Sequence, residues 1–130
     1  MAGGEQIFGD PDTAFEEADA VHEGTYGIPV ITHCCLETHG AVVQWQGDSV
    51  MAWPSTQDVT NWNTELAPNI KVPAANIQVK MDYIGGAFGS KSGRDLWGEV
   101  AARLSRKAGG RPVKLFLDRA TDQKIAGNRS

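Results

Sequence analysis

Alternating apolar and polar positions predict the strands of this chain. Residues 41–45 and 50–53 are rich in β-branched and aromatic side chains, and the Gln-Gly-Asp-Ser segment between them is typical of a turn. These segments predict an early β-hairpin. Strict alternation recurs over residues 76–84 and again over 113–118, which predicts two more strands. Residues 21–32 interleave Val, Tyr and Ile with polar residues and glycine, which indicates extended chain.

The first predicted helix follows the hairpin. Its apolar face recurs at helical spacing over about three turns, and it consists of Val59, Trp62 and Leu66. Ser55 stands three residues before Asp58, the spacing of a capping box at the start of a helix. Because proline cannot donate the helical hydrogen bond and its ring clashes with the preceding turn, we expect the helix to end at Pro68.

A longer helix is predicted after residue 92. Ser92 and Asp95 repeat the capping-box spacing, and Gly109-Gly110 ends the helical pattern. The residues expected to form its apolar, core-facing stripe are Leu96, Trp97, Val100, Ala101, Leu104 and Ala108. The residues expected to face water are Glu99, Arg103 and Arg106.

The N-terminal segment has no strong period. Residues 1–11 are small, polar and turn-rich, and we interpret them as a linker that precedes a domain at residues 12–130. Residues 13–20 fit one or two turns of helix, with Thr13 and Glu16 at capping-box spacing.

The order of these elements predicts an α/β fold of the mixed, α+β kind. The hairpin is antiparallel, whereas the last third of the chain is predicted to be strand, glycine-rich loop, helix and strand. The roughly 20 residues between those two strands allow a parallel crossover and exclude a tight hairpin. We therefore expect one mixed sheet with two main helices.

Composition narrows the function classes. The chain has 130 residues, 41% hydrophobic and 22% charged, which fits one globular domain. Its net charge of −4 and the absence of a basic stripe argue against nucleic-acid binding. No apolar run approaches the ~20 residues of a membrane helix, and no targeting signal is evident. Cys34 and Cys35 are neighbours and are interpreted as free thiols, which favours a reducing, cytoplasmic location, with export on a partner as the alternative.

Four potential metal ligands recur at every second position: His33, Cys35, Glu37 and His39. On one strand they would share a face. Because neighbouring side chains on a strand face lie about 6.6 Å apart, four of them cannot converge on one ion. We expect solvated or hydrogen-bonded His and Glu side chains here and no bound zinc or iron. Thiol catalysis beside the two histidines is disfavoured because no orienting group is identifiable.

The glycine-rich loop at residues 85–91 lies between a predicted strand and a predicted helix. Free backbone N–H groups and the helix dipole favour an anion or a cofactor there. The loop lacks G-x-G-x-x-G spacing, and Ser90 rather than glycine precedes Lys91, so a nucleotide loop is disfavoured. A tight turn is the alternative, but the bulky Phe88 among small residues favours a role in lining a ligand. Gln57 is not needed for capping, and its amide is able to bond a ligand oxygen. We expect it to border the same crevice.

Four ordered motifs resemble the molybdenum-binding subunit of the xanthine dehydrogenase and aldehyde oxidase family. They are ADAVHEGTYGIPVITHCCLETHG, WPSTQ, YIGGAFGSK and GRPVKLFLDRATDQKIAGNR. The similarity runs from about Phe15 to Arg129 and so covers nearly the whole chain. The family's subunit is several times longer, so the resemblance implies that this chain is a fragment of its molybdopterin-binding region.

The resemblance also implies roles for individual residues. Gln57 corresponds to the family's glutamine that approaches the oxo group of the molybdenum centre. Phe88 and Gly89 correspond to the residues that pack at the metal and the pterin, and Gly86 and Ala87 complete this cofactor-binding loop. The family's catalytic glutamate lies in later sequence, so no catalytic residue is assigned to this chain.

Departures from the family's motif bear on the substrate. Ala87 and Ser90 replace glycines, and both are small enough to keep the close approach of the backbone. Ser92 stands where purine-oxidising members tend to carry glutamate. The implied activity is hydroxylation of an aldehyde or aromatic N-heterocycle with oxygen from water, and a purine substrate is disfavoured.

The resemblance finally implies a cofactor and partners. Molybdenum-molybdopterin would be the cofactor of the full-length enzyme, and the partners would be the rest of the molybdenum subunit, iron–sulfur and FAD subunits or domains, and a small-molecule substrate. We expect the fragment alone to be inactive and not to retain the cofactor. The alternative function is a non-catalytic truncated or binding module of the same fold.

Overall fold

The computed structural model describes residues 6–92 and 96–129. Its elements in chain order are α1 (Pro11–Glu16), β1 (Ile31–Thr32), β2 (Gly40–Gln46), β3 (Ser49–Pro54), α2 (Val59–Ile70), a 3-10 turn (Ala74–Asn76), β4 (Ile77–Val79), α3 (Leu96–Lys107), β5 (Val113–Phe116), α4 (Arg119–Ile125) and β6 (Asn128–Arg129). One sheet has the strand order β4-β3-β2-β5, and β1 pairs with β6 in a second. The predicted mixed α/β fold is confirmed.

The four-stranded sheet contains both pairings that the sequence predicts. Strand β2 is antiparallel to β3 and to β5, whereas β3 and β4 are parallel. The predicted hairpin turns at Gly47-Asp48, where Gly47 has a φ of +64° that glycine adopts without strain. Strands β4 and β5 point the same way with two strands between them, so the connection through α3 is a crossover and not a hairpin.

Strand β4 is shorter than predicted. The alternation over residues 76–84 predicted a long strand, but β4 ends at Val79 and Tyr83 is exposed. At this edge of the sheet β4 has only β3 as a neighbour. The residues after Val79 leave the sheet. The Gly85 carbonyl then accepts the Glu37 N–H at 3.0 Å. This long-range contact overrides the local alternation.

The N-terminal segment is exposed throughout residues 6–32. The extended chain predicted for residues 21–32 forms a ladder only in β1. The predicted helix over residues 13–20 begins earlier, at Pro11, because the Asp10 carboxylate rather than Thr13 caps it by accepting the Thr13 N–H. The linker boundary at residue 11 stays a prediction.

Helix α2 differs from its prediction at both ends. Asp58, not Ser55, is the N-cap, and its carboxylate accepts the Asn61 N–H at 3.3 Å. Pro68 lies inside the helix, which continues to Ile70. One lost hydrogen bond near the helix end is tolerated because the extra residues bury Ile70 in the core.

Helix α3 packs on the sheet with a face that shares Ala101 with the predicted stripe but otherwise differs from it. Leu96, Val100 and Leu104 are 51%, 37% and 44% exposed, so the prediction that they face the core was wrong. The buried face consists of Gly98, Ala101, Ala102 and Ser105. These small residues let the helix backbone approach the sheet so closely that Trp45 Nε1 donates to the Ala102 carbonyl at 2.7 Å. Asp95, the predicted partner of Ser92, lies outside the described residues.

The core lies between the sheet and helices α2 and α3. Its buried members are Ala41, Val43, Trp45, Val50, Ala52, Trp62, Leu66, Ala67, Ile70, Ile77, Ala101 and Ala102. The predicted burial of Trp62 and Leu66 is confirmed, and Val59 is half-buried. Among the helices in residues 6–92 and 96–129, none is long and apolar enough to cross a membrane.

Candidate functional site

Gln57 lies in the short connection between the end of β3 and the start of α2, and the glycine-rich loop packs against it. The Gly89 N–H donates to Gln57 Oε1 at 3.0 Å. The Lys91 carbonyl accepts both the Gln57 N–H and the Thr56 hydroxyl, each at 3.0 Å. Three hydrogen bonds therefore join two segments that are more than thirty residues apart in sequence. The expected juxtaposition of Gln57 with the loop is present.

The bond from Gly89 fixes the orientation of the Gln57 amide. A backbone N–H only donates, so the atom that faces it must be the oxygen of the side-chain amide. The NH₂ group of Gln57 is left as a hydrogen-bond donor, and the residue is exposed. The site thus presents an N–H donor that is able to bind an oxygen atom of a ligand.

The loop backbone is held in an unusual conformation. Phe88 has a φ of +52°, in the left-handed region that bulky residues rarely adopt, and it lies between Gly86 and Gly89, both with a φ of +92°. The Phe88 side chain is 68% exposed, so its own packing does not offset this strain. The turn is closed instead by Ser90, whose N–H and hydroxyl donate to the Ala87 carbonyl at 2.9 and 2.8 Å.

Glu37 anchors the loop to the sheet. Its Oε2 accepts the Ser55 hydroxyl at 2.8 Å and the Gly85 N–H at 2.9 Å, and it lies 3.5 Å from Lys91 Nζ. Burial raises the pKa of Glu37, but the hydrogen bonds from Gly85 and Ser55 and the charge of Lys91 outweigh burial and lower the pKa below its ordinary value. The Lys91 side chain is fully buried and also donates to the Glu37 carbonyl at 2.8 Å.

His39 connects the loop to α4. Its Nδ1 lies 2.9 Å from Asp122 Oδ1, its Nε2 lies 3.1 Å from the Ser90 carbonyl, and its backbone N–H donates to Asp122 Oδ1 at 2.8 Å. Arg119 contacts the other carboxylate oxygen at 3.3 Å. Burial raises the pKa of Asp122, but the hydrogen bonds from His39 and the charges of His39 and Arg119 outweigh it and lower the pKa.

The four candidate metal ligands do not share one strand. Cys34 has a φ of +45°, which breaks the extended alternation. Cys35, Glu37 and His39 instead contact Ser90, Ser55 and Asp122 respectively. In the described part of the chain, no group of three or more His, Cys, Asp or Glu side chains is placed to hold a metal. Both cysteines are free thiols, as interpreted, and the absence of bound zinc or iron stays a prediction.

Sequence reasoning missed the residues that support the loop. It treated Glu37 and His39 as solvated or hydrogen-bonded without naming partners, and it gave Lys91 and Asp122 no role. Their contacts with the loop and with α4 join residues as far apart as 48 positions for Glu37 and Gly85 and 83 for His39 and Asp122. Because no local period links such positions, only the LETH and LDRATD segments within the family-like motifs carried a signal for them.

The molybdopterin cofactor-binding domain family matches residues 2–130 of this chain. The chain belongs to this family. The aldehyde oxidoreductase molybdenum-binding subunit PaoC of Escherichia coli (strain K12) is 37% identical over 111 residues, which are 85% of this chain and 15% of that subunit. Xanthine dehydrogenase/oxidase of Felis catus is 35% identical over 117 residues, 88% of this chain and 9% of that protein. The chain thus spans 15% or less of the length of these two relatives.

Solved structures agree with this assignment. Quinoline 2-oxidoreductase from Pseudomonas putida 86 superposes with a TM-score of 0.70 at 29% identity, covering 87% of this chain and 14% of that one. The Cu,Mo-CO dehydrogenase superposes with a TM-score of 0.70 at 26% identity, covering 85% of this chain and 14% of that one. The resemblance inferred from the motifs is confirmed: the chain corresponds to the molybdopterin-binding region of the molybdenum hydroxylase family.

Proposed function

We propose that this chain forms one wall of a molybdopterin site in a longer oxidoreductase that hydroxylates an aldehyde or an aromatic N-heterocycle. Gln57 and the loop residues Gly86, Ala87, Phe88 and Gly89 would face the cofactor. The observation that carries the proposal is the bond from Gly89 N–H to Gln57 Oε1, which leaves the amide NH₂ of Gln57 as a donor beside the loop. Membership of the family supports the choice of cofactor.

The residues present fit such a group. Molybdopterin and its metal carry oxygen atoms that accept hydrogen bonds, and the Gln57 NH₂ is a matching donor. The exposed Phe88 ring would offer an apolar surface to the pterin. When bound, the group would supply the two-electron chemistry of the reaction. The part of this chain would be to bind and orient the group, while the half-buried Glu37, paired with the buried Lys91, holds the loop in place.

The proposed reaction also requires an electron acceptor and further parts of the enzyme. An aldehyde and water yield a carboxylic acid, two protons and two electrons, so the enzyme needs an acceptor for electrons. Iron–sulfur and FAD subunits or domains would take them. The rest of the molybdenum subunit would supply the catalytic glutamate and the other walls of the site, because a cofactor pocket normally encloses most of its ligand.

The Gln57 donor can be tested in the longer protein that contains this chain. Both Gln57→Ala and Gln57→Glu should lower kcat at least ~10-fold, because each removes the amide NH₂. Gln57→Glu keeps an oxygen for the Gly89 N–H, so its unfolding midpoint should stay close to that of the parent protein. The measurements are aldehyde oxidation kinetics, molybdenum content and thermal unfolding.

Gln78, exposed on β4, provides the matched control. Gln78→Ala should change neither rate nor stability. A Gln57→Glu enzyme with the parental rate would contradict a donor role for Gln57. Losses of rate that only follow losses of folded protein would show that Gln57 has a structural role alone.

The 130-residue chain alone should neither oxidise aldehydes nor retain molybdenum. Its site residues form one loop and one amide, which leaves most of the cofactor surface uncovered. Molybdenum content and aldehyde oxidation with an artificial electron acceptor should be measured on the purified chain, beside the longer protein under the same conditions. Turnover above background by the isolated chain would refute the assignment of the catalytic glutamate to other sequence.

A further inference from the structure

The buried ring of His39 lies between two groups that only accept hydrogen bonds. His39 is 8% exposed. Its Nδ1 faces Asp122 Oδ1 at 2.9 Å, and its Nε2 faces the Ser90 carbonyl oxygen at 3.1 Å. A carbonyl oxygen never donates, and an ionised carboxylate does not donate either. A neutral imidazole has one N–H and one bare nitrogen, so it satisfies only one of these two contacts.

The surroundings support an ionised Asp122. Asp122 Oδ1 also accepts the His39 backbone N–H at 2.8 Å, and Arg119 lies 3.3 Å from Oδ2. Within the described residues around the loop, Lys91 and Glu37 pair with each other at 3.5 Å and so largely cancel. Arg119 is partly exposed and screened by solvent, so the buried Asp122 carboxylate remains the counter-charge of the ring. A proton on each His39 nitrogen then completes both hydrogen bonds of the ring.

We propose that His39 is held as an imidazolium and acts as the positioning residue of the glycine-rich loop, tying the Ser90 carbonyl to Asp122 of α4. That the loop faces a cofactor rests on the proposed function, whereas the protonation state and the tie rest on the geometry alone. Ser90 directly follows Gly89, which bonds Gln57. Holding the Ser90 carbonyl therefore also holds the N–H that orients the Gln57 amide.

Removal of one ring proton would break this tie. A bare Nε2 would place its lone pair against the Ser90 carbonyl oxygen, and a bare Nδ1 would face the Asp122 carboxylate. Either contact is repulsive. The loop would keep its hydrogen bonds to Glu37, Thr56 and Gln57 but lose the one at Ser90, so exchange of its backbone amides with solvent should accelerate.

The first test is spectroscopic. In the chain labelled with ¹⁵N-histidine at pH 7, both ring nitrogens of His39 should show the chemical shifts and one-bond proton couplings of protonated nitrogens. His22, exposed in the N-terminal segment with its Nε2 bonded to the Tyr26 hydroxyl, is the internal reference for the spectrum. A His39 ring with one unprotonated nitrogen at pH 7 would overturn the proposal.

The second test uses variants of the same chain. Asp122→Asn and His39→Gln should each accelerate amide hydrogen exchange of residues 85–91 about 10-fold, the loss expected for one charge-assisted hydrogen bond. In Asp122→Asn the His39 ring should become neutral. The double variant should exchange no faster than the faster single variant, because both act through one tie. His22→Gln is the matched control and should leave the loop unchanged.

Unchanged loop exchange in a folded Asp122→Asn chain would refute the tie. If a variant fails to fold, the ring spectrum of the parent chain still decides the protonation state. Neither measurement needs a cofactor, so a failure here is distinguishable from a failure of the proposed function, which the kinetics of the Gln57 variants report.

Discussion

Gly40→Ala should destabilise the fold by about 4 kcal/mol or more, a large share of the stability of a small domain. A Cβ at Gly40 would lie 2.5 Å from the Leu115 carbonyl oxygen and 2.6 Å from Phe116 Cα. Both atoms belong to the backbone of β5, which pairs with β2 at this position. Backbone atoms in a paired strand cannot rotate away as a side chain does. The two strands must therefore separate, and their ladder must break.

Urea unfolding followed by tryptophan fluorescence measures this effect. Gly27→Ala is the matched control, because a Cβ there meets nothing within 4 Å and the residue is not left-handed. It should leave the free energy of unfolding within about 0.5 kcal/mol of the parent chain. A Gly40→Ala chain as stable as the Gly27→Ala chain would contradict the close approach of β2 and β5.

Glu37→Gln should destabilise the chain by about 3 kcal/mol, because it leaves the fully buried Lys91 ammonium without its counter-charge. The value lies at the low end for a broken buried pair, since Lys91 keeps its bond to the Glu37 carbonyl. Asp82→Asn is the control. Asp82 pairs with Lys80 at 3.4 Å, but both side chains are exposed, so the loss should stay under about 0.5 kcal/mol. Equal losses in the two variants would show that the Lys91 pair is screened by solvent.

The same pair predicts a dependence on pH. The pKa of Glu37 is lower in the folded chain than its ordinary value of 4.5, which applies to the unfolded chain. The ionised carboxylate therefore contributes its full stability above pH 4.5, and this contribution is lost as pH falls toward the lowered pKa. Urea midpoints measured at about pH 7 and about pH 3.5 should fall more for the parent chain than for Glu37→Gln. Parallel changes in the two proteins would contradict this role of Glu37.

Local patterns determined much of the fold from the sequence. The hairpin followed from β-prone runs around a Gly-Asp turn, and the buried face of α2 followed from helical spacing, because both depend on residues close in sequence. The motifs around Gln57 and Phe88 were sufficient to identify the family and to predict that these residues are neighbours. The cofactor contact of these residues follows from the resemblance and is a proposal.

The packing face of α3 could not be found in this way. Its leucine and valine stripe has the stronger helical pattern, yet Ala102 and Ser105 face the sheet beside Ala101, which alone was predicted to do so and is fully buried. The reason is steric. The Ser105 hydroxyl accepts the Trp45 N–H at 3.1 Å and donates to the Arg111 carbonyl at 2.7 Å, contacts that need the helix backbone close to β2. Hydrophobicity ranks the large residues first, whereas the space left by the sheet admits only small ones.

The sequence by itself determined the fold class, the hairpin, the approximate positions of α2 and α3 and the family, because each depends on local period, turn chemistry or motif order. Only the tertiary structure decided which face of α3 is buried, where β4 ends, and how the glycine-rich loop is supported. Those features depend on contacts such as Glu37 with Gly85 and His39 with Asp122, across 48 and 83 residues. The energy of such contacts comes from burial and charge at positions that the folded backbone brings together, and no local pattern encodes that meeting.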